Sequence, residues 1–180
     1  FPYRDFTRAK TTLQTAIVDM GEPWSLLVGD TGTGKTALLR ELKQSLDRSR
    51  FRVLYFSDAK RLRGSGLVKV VGEALRVRSS ICHSVTFDRV QRTLQDDAQR
   101  ILIWLDEAQE LPEDTIAQAR AIVESDIDHD GRVQVLLVGL PKLRATLQEQ
   151  AQFWRRIMVR ETITGLSEDE AMPFLEHHFE

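Results

Sequence analysis

The sequence predicts an α/β protein built on one parallel sheet with helices on both faces. Five short apolar runs alternate with longer segments of helical period, which is the order of elements in such folds. The middle three runs are almost continuously apolar, as expected for strands buried on both faces. A chain of 180 residues is long enough for one domain with a sizeable core.

The five predicted strands are short and rich in apolar side chains. They are Ser25–Val28, Arg52–Phe56, Ile101–Leu105, Val133–Val138 and Ile157–Ile163.

The segments between the strands repeat apolar residues at the spacing of an amphipathic helix. They cover residues 35–46, 66–75, 87–99 and 112–125. After the fifth strand, Ser167 stands three residues before Glu170, a capping-box pattern that begins another helix. We therefore divide the chain into a core, residues 1–166, and a C-terminal helix, residues 167–180.

Composition excludes several classes of protein. The 27 acidic residues nearly balance 25 basic ones, for a net charge of -2, so a nucleic-acid-binding role would need a local basic patch. The single cysteine, Cys82, cannot form an internal disulfide, and we find no secretion signal. No apolar run approaches the roughly 20 residues that span a bilayer. We expect a cytoplasmic protein without a membrane segment.

The segment VGDTGTGKT, residues 28–36, matches the phosphate-binding pattern G-x-x-x-x-G-K-[ST] and lies between a predicted strand and a predicted helix. Its glycines allow the backbone to approach phosphates, Lys35 would bridge the terminal phosphates, and Thr36 would offer its hydroxyl to Mg²⁺. The predicted nucleotide-binding residues are Gly29, Asp30, Thr31, Gly32, Thr33, Gly34, Lys35, Thr36 and Ala37.

Two acidic residues, Asp106 and Glu107, directly follow the predicted strand ILIWL. Ligands of open α/β sheets bind at the carboxyl ends of the strands, where these carboxylates would lie. We predict that Asp106 positions Mg²⁺ and that Glu107 acts as the general base for an attacking water. The two motifs together predict a Mg²⁺-dependent nucleotide hydrolase.

With these motifs the chain resembles the AAA+ ATPases: GDTGTGKT resembles their Walker A motif and ILIWLDEAQ their Walker B motif. The resemblance implies a three-layer P-loop core with a five-stranded parallel sheet of order 5-1-4-3-2, followed by a helical lid that would start at residues 167–180. LDEAQEL, VLLVGLPKLRATL and the C-terminal segment further resemble the branch that holds the secretion ATPase ExeA/GspA and the transposition ATPases MuB, TnsC and TniB.

The resemblance also implies residues that sense or stabilise the phosphates. The strand before PKL usually ends on a polar residue, where this chain has Leu140, so hydrolysis is expected to be slow or the polar role to fall elsewhere. Arg155 and Arg156 stand just before the fifth strand, where the family carries an arginine that acts on the neighbouring subunit. Arg156 fits the family pattern better. A homo-oligomeric ring or filament in the ATP state follows from this expectation.

The segment after the second strand is locally basic, with Lys60, Arg61, Arg63 and Lys69 within ten residues. In the transposition ATPases the corresponding loop grips the DNA backbone, so these four residues are the candidates for non-specific contacts with double-stranded DNA. The leading hypothesis is an ATPase that assembles on DNA and regulates a transposase. The alternatives are a secretion or envelope-assembly ATPase and a nucleotide-gated interaction module with little turnover.

Overall fold

The computed structural model describes residues 3–57, 62, 66–125 and 132–165. Its sheet consists of β1 (Trp24–Gly29), β2 (Phe51–Phe56), β3 (Arg100–Leu105), β4 (Val133–Gly139) and β5 (Val159–Ile163). The strand order is β2-β3-β4-β1-β5 and every pairing is parallel, which confirms the expected order 5-1-4-3-2. The predicted strand ends differ from the observed ones by at most two residues.

Seven α-helices surround the sheet in the described ranges. They are α1 (Arg4–Thr15), α2 (Lys35–Ser45), α3 (Gly66–Ala74), α4 (His83–Asp96), α5 (Glu113–Glu124), α6 (Pro141–Glu149) and α7 (Ala151–Arg156). A π-helical turn, Ala16–Met20, extends α1, and a 3₁₀ turn, Ala108–Glu110, follows β3. The four helices predicted between strands are all present as α2 to α5, whereas α1, α6 and α7 were not among the predicted helices. The helix expected over 167–180 lies outside the described residues.

The core has one apolar cluster on each face of the sheet. In β3, Ile101, Ile103 and Leu105 pack with α3–α7, whereas Leu102 and Trp104 pack with α1 and α2. This alternation places helices on both faces and gives the three-layer arrangement. The prediction of strands buried on both faces is confirmed for β3 and β4.

The same prediction is wrong for the second strand. β2 lies at the edge of the sheet and pairs only with β3 among the described strands. Phe51 and Leu54 are buried, but the other four residues of the strand are partly or fully exposed, and Tyr55 retains 42% of its accessible surface. An apolar run alone therefore does not distinguish an edge strand from a central strand.

Helix α7 is short, and one buried aromatic side chain fixes it to the core. Phe153 is 1% exposed and meets the ring of Trp24 edge-on, with ring centroids 4.7 Å apart. The next residue, Trp154, lies under the guanidinium group of Arg160, 4.0 Å from the ring centroid. These contacts hold the helix that carries Arg155 and Arg156.

In the parts of the chain that the structure describes, no helix combines the length and apolar character needed to cross a bilayer.

We predict that Phe153→Ala lowers the free energy of unfolding by about 3–5 kcal/mol, because a large buried side chain leaves a cavity against Trp24. Urea unfolding followed by circular dichroism measures the change. Met158→Ala is the matched control, since Met158 is 66% exposed and its truncation is expected to change stability by less than about 0.5 kcal/mol. A loss below 1 kcal/mol for Phe153→Ala would contradict the anchoring role.

Candidate nucleotide site

The candidate phosphate-binding loop begins where β1 ends, at Gly29, and reaches the first residue of α2, Lys35. Gly29 must be glycine, because a Cβ atom there would lie 2.5 Å from the carbonyl oxygen of Ile163 and 2.6 Å from Thr33 Oγ1. Gly34 has a φ of 87° and Gly32 a φ of 83°, a left-handed conformation that glycine adopts without strain. The glycines of the motif therefore serve both packing and backbone geometry.

The side chains of the loop are held by its own backbone. Lys35 Nζ donates to the carbonyl oxygens of Gly29 at 2.6 Å and Asp30 at 2.8 Å. Thr33 is buried, and its hydroxyl donates to Asp30 O at 2.9 Å, so this residue shapes the loop from inside. The side chains of Asp30, Thr31, Thr36 and Ala37 are exposed.

Helix α1 supports the loop from the amino-terminal side, a contact that the sequence did not predict. The hydroxyl of Tyr3 donates to the carbonyl oxygen of Thr33. A Cβ atom on Gly34 would lie 3.5 Å from that hydroxyl and 3.7 Å from Phe6 Cδ2. Since Tyr3 and Phe6 are themselves buried, the loop rests on an apolar support.

The two predicted carboxylates follow β3 directly. Asp106 Oδ1 accepts a hydrogen bond from the backbone N–H of Glu107 at 2.9 Å, and Asp106 Oδ2 accepts one from the Tyr55 hydroxyl at 2.6 Å. Glu107 adopts a left-handed conformation with φ of 51°, which is uncommon for a residue with a side chain. Its side chain is exposed, whereas Asp106 is half-buried.

Tyr55 is a site residue that the sequence analysis missed. Partial burial, together with the hydrogen bond to Asp106, raises the pKa of Tyr55 to about 12 from its usual 10.0. The phenol remains protonated at physiological pH and donates a hydrogen bond to the Asp106 carboxylate.

Gln109 is the second missed residue. Its side-chain Nε2 donates to Glu107 Oε2, and its Oε1 accepts the backbone N–H of Leu140 at 3.0 Å. Leu140 ends the connection from β4 to α6, and its side chain provides no polar group.

The loop and the carboxylates lie at the same edge of the sheet. In the strand order, β4 lies between β1 and β3, and all three strands run parallel, so Gly29 and Asp106 follow carboxyl ends at the same edge of the sheet, one strand apart. The residues described contain no group of three or more His, Cys, Asp or Glu side chains that could hold a metal ion. An ion held by Thr36 and Asp106 would take its other ligands from phosphate and water, as Mg²⁺ commonly does. A lysine, loop amides at a helix N-terminus and two carboxylates are thus a donor set that fits Mg²⁺–nucleoside triphosphate.

The two candidate arginines differ in their contacts. Both are exposed in the last turn of α7, just before β5, as predicted. Arg156 forms an ion pair with Glu124, which also pairs with Arg120 at 3.6 Å. The side chain of Arg155 forms no hydrogen bond or ion pair with any other residue that the structure describes.

Of the four candidate DNA-binding residues, Lys60, Arg61 and Arg63 lie outside the described residues. Lys69 lies on α3 and is exposed at an open pocket of about 350 Å³ that His83 also lines.

Sequence comparison identifies relatives. A sequence model of the AAA domain matches residues 18–147. General secretion pathway protein A of Aeromonas hydrophila is 27% identical over an alignment of 156 positions, and the match covers 83% of this chain and 28% of that protein. The chain therefore spans less than a third of the length of this relative.

Two solved structures share the fold. The Orc1 protein of Aeropyrum pernix, solved in complex with DNA, has a TM-score of 0.72 and 19% identity, and the match covers 99% of this chain and 50% of that one. Cdc6p of Pyrobaculum aerophilum has a TM-score of 0.70 and 18% identity, with coverage of 97% and 50%. Because the AAA domain match covers most of the chain and the fold agrees, this protein belongs to the AAA domain family, the AAA+ P-loop ATPases.

Proposed function

We propose that this protein is a Mg²⁺-dependent ATPase that hydrolyses ATP to ADP and phosphate. The observation that carries the proposal is the joint position of Lys35 and the Asp106–Glu107 pair at one edge of the sheet. A phosphate-binding loop alone would support binding, whereas the adjacent carboxylates supply the groups that hydrolysis needs.

In this proposal the loop residues bind and orient the phosphates. Lys35 Nζ exchanges the carbonyl oxygens of Gly29 and Asp30 for phosphate oxygens, and the backbone N–H groups at the start of α2 add donors. Thr36 and Asp106 would hold Mg²⁺, which supplies positive charge to the phosphates. Tyr55 keeps the Asp106 carboxylate oriented through its 2.6 Å hydrogen bond.

Glu107 is the proposed general base. One of its oxygens accepts the Gln109 amide, which leaves the other oxygen to accept a proton from the attacking water. The exposed position of Glu107 gives a water molecule access to it.

We propose that an arginine of one subunit completes the site of the next subunit in an ATP-state oligomer. The exposed side chain of Arg155, which has no partner among the described residues, favours it over Arg156 for this role. The ion pair of Arg156 with Glu124 instead joins α7 to α5. A cation directed at the transferred phosphoryl group would stabilise the charge that develops there.

For the client we propose double-stranded DNA, bound through phosphates by Lys60, Arg61, Arg63 and Lys69, with a transposase as the protein regulated. The local concentration of cations in a chain of net charge -2 supports this choice, and Orc1 was solved in complex with DNA on the same fold. The second candidate is a secretion or envelope-assembly ATPase, which the similarity to general secretion pathway protein A favours. In either case we expect slow turnover, because Leu140 stands where related ATPases usually have a polar side chain.

We predict that Glu107→Gln lowers kcat at least about 100-fold and leaves ATP affinity within about threefold, because the base acts only on water. Lys35→Ala should instead abolish measurable ATP binding. Phosphate release measures turnover and isothermal titration calorimetry measures binding.

Glu113→Gln is the matched control for Glu107→Gln, since Glu113 is an exposed acid in the first turn of α5. Its turnover should equal that of wild type. Tight ATP binding with no effect of Glu107→Gln would instead favour the interaction module with little turnover.

We predict that Arg155→Ala lowers kcat at least about 100-fold, since an arginine supplied to a neighbouring site has an effect of this order or larger. Arg156→Ala should mainly lower the free energy of unfolding, by less than about 1 kcal/mol, because it breaks an exposed ion pair.

Mixing variant subunits tests whether Arg155 acts on the site of a neighbouring subunit or on the site of its own subunit. Arg155→Ala retains Glu107, and Glu107→Gln retains both the arginine and ATP binding, so mixing the two inactive variants should restore part of the turnover. No restoration at any ratio would contradict an arginine that acts between subunits.

We predict that duplex DNA stimulates turnover and that the triple variant Lys60→Ala/Arg61→Ala/Arg63→Ala loses this stimulation. Three lost phosphate contacts should reduce the salt dependence of DNA affinity by up to about 3 in the log–log slope. Fluorescence anisotropy across a salt series measures the slope.

The matched control for this triple variant removes three other exposed cations, Lys43, Arg48 and Arg92. It changes the net charge equally, so it separates a local contact from general electrostatics. A secretion-type ATPase predicts neither DNA binding with ATP nor DNA-dependent turnover in any variant.

A further inference from the structure

We infer that Gln109 is a positioning residue. It is anchored at the carboxyl end of β4 and holds the Glu107 carboxylate in the orientation needed to activate water. This inference rests on the proposed role of Glu107 as the general base.

The two partners of Gln109 fix the direction of its amide group. The backbone N–H of Leu140 is a donor, so it must meet the amide oxygen, as it does at 3.0 Å. The amide nitrogen then faces the opposite way, toward Glu107 Oε2, which as a carboxylate oxygen is an acceptor. The side chain of Gln109 thus joins the proposed base to the backbone of Leu140, directly after β4.

The backbone of β4 leaves space for this side chain. A Cβ atom on Gly139 would overlap Gln109 Oε1 and would lie 3.0 Å from Leu143 Cδ2. The positive-φ glycines of the described chain are Gly21, Gly32, Gly34 and Gly165, so the backbone conformation at Gly139 does not itself require glycine. Glycine at this position serves the approach of Gln109.

The hydrogen bond from Gln109 matters because few other contacts hold the Glu107 side chain. It is exposed, and a glutamate side chain has several rotatable bonds whose freedom must be restricted before it can act as a base. The hydrogen bond from Gln109 restricts it while engaging only one carboxylate oxygen. Restricting a reactive group before the chemical step raises kcat rather than substrate affinity.

Two variants break the contact in different ways. Gln109→Met keeps a side chain of similar length but removes both amide groups. Gly139→Ala leaves Gln109 unchanged and displaces its amide with a methyl group. We expect each variant to lower kcat at least about tenfold, with KM for ATP within about twofold of wild type.

Glu107→Gln distinguishes this role from a structural one. If Gln109 acts through Glu107, then Gln109→Met has no further effect on the residual turnover of Glu107→Gln. A general loss of structure would instead lower turnover in both backgrounds and would raise KM.

Nuclear magnetic resonance tests the contact without turnover. The side-chain amide signal of Gln109 should move in Glu107→Ala and in Gly139→Ala, while that of Gln134, which donates to Ile17 O at 3.1 Å, should stay in place. An unchanged Gln109 signal in both variants would overturn the inference.

The kinetic outcomes separate the two levels of the proposal. If Glu107→Gln abolishes turnover while Gln109→Met and Gly139→Ala keep kcat within twofold, the positioning role is wrong and the ATPase assignment stands. A rise of kcat in either variant also overturns it, since Gln109 would then restrain Glu107 from acting. If Glu107→Gln leaves turnover unchanged, the proposed function fails first, and the positioning role fails with it.

Discussion

The parallel pairing of β1 with β4 on one side and β5 on the other determines the geometry of the candidate site. All six residues of β1 are buried, so the strand has no freedom to shift between its neighbours. Its last residue, Gly29, is so close to Ile163 of β5 that even a methyl group would not fit. The phosphate-binding loop therefore starts from a fixed point, and α2 begins five residues beyond Asp30 at Lys35.

The loop and the arginine-bearing helix are both tied to β5. Helix α7 ends just before β5, and the end of β5 contacts α1, where Arg8 Nη2 donates to Thr162 O at 3.2 Å. Just beyond β5, Thr164 donates to Asp5 at 2.6 Å, a bond that lowers the pKa of that carboxyl group. Tyr3, just before α1, and Phe6, in its first turn, support Gly34. Strand β5 therefore connects α7, which is proposed to reach a neighbouring subunit, with the phosphate-binding loop of the same subunit.

Much of the fold could be predicted from the sequence because its signals are local. The apolar runs predicted all five strands, and the motif around Lys35 predicted the strand–loop–helix connection. Exposure at the edge strand β2 does not follow from the apolar character of 52–56, because it depends on which strands lie beside it, and only the strand order implied by the family resemblance places this strand at the edge. The same limit applies to the candidate site. Asp106 and Glu107 are visible from their place after a strand, whereas Tyr55 and Gln109 become site residues only through contacts with them.

These contacts mean that the carboxylates are held from both strands that flank β3. Tyr55 of β2 binds Asp106 on one side, and Gln109 links Glu107 to the end of β4 on the other. β2 ends at Phe56 and leads directly into the segment with Lys60, Arg61 and Arg63, so the phenol that orients the proposed metal ligand stands five residues before the first proposed DNA contact. The contact on the other side runs through Leu140, which joins β4 to α6 and whose backbone N–H anchors Gln109.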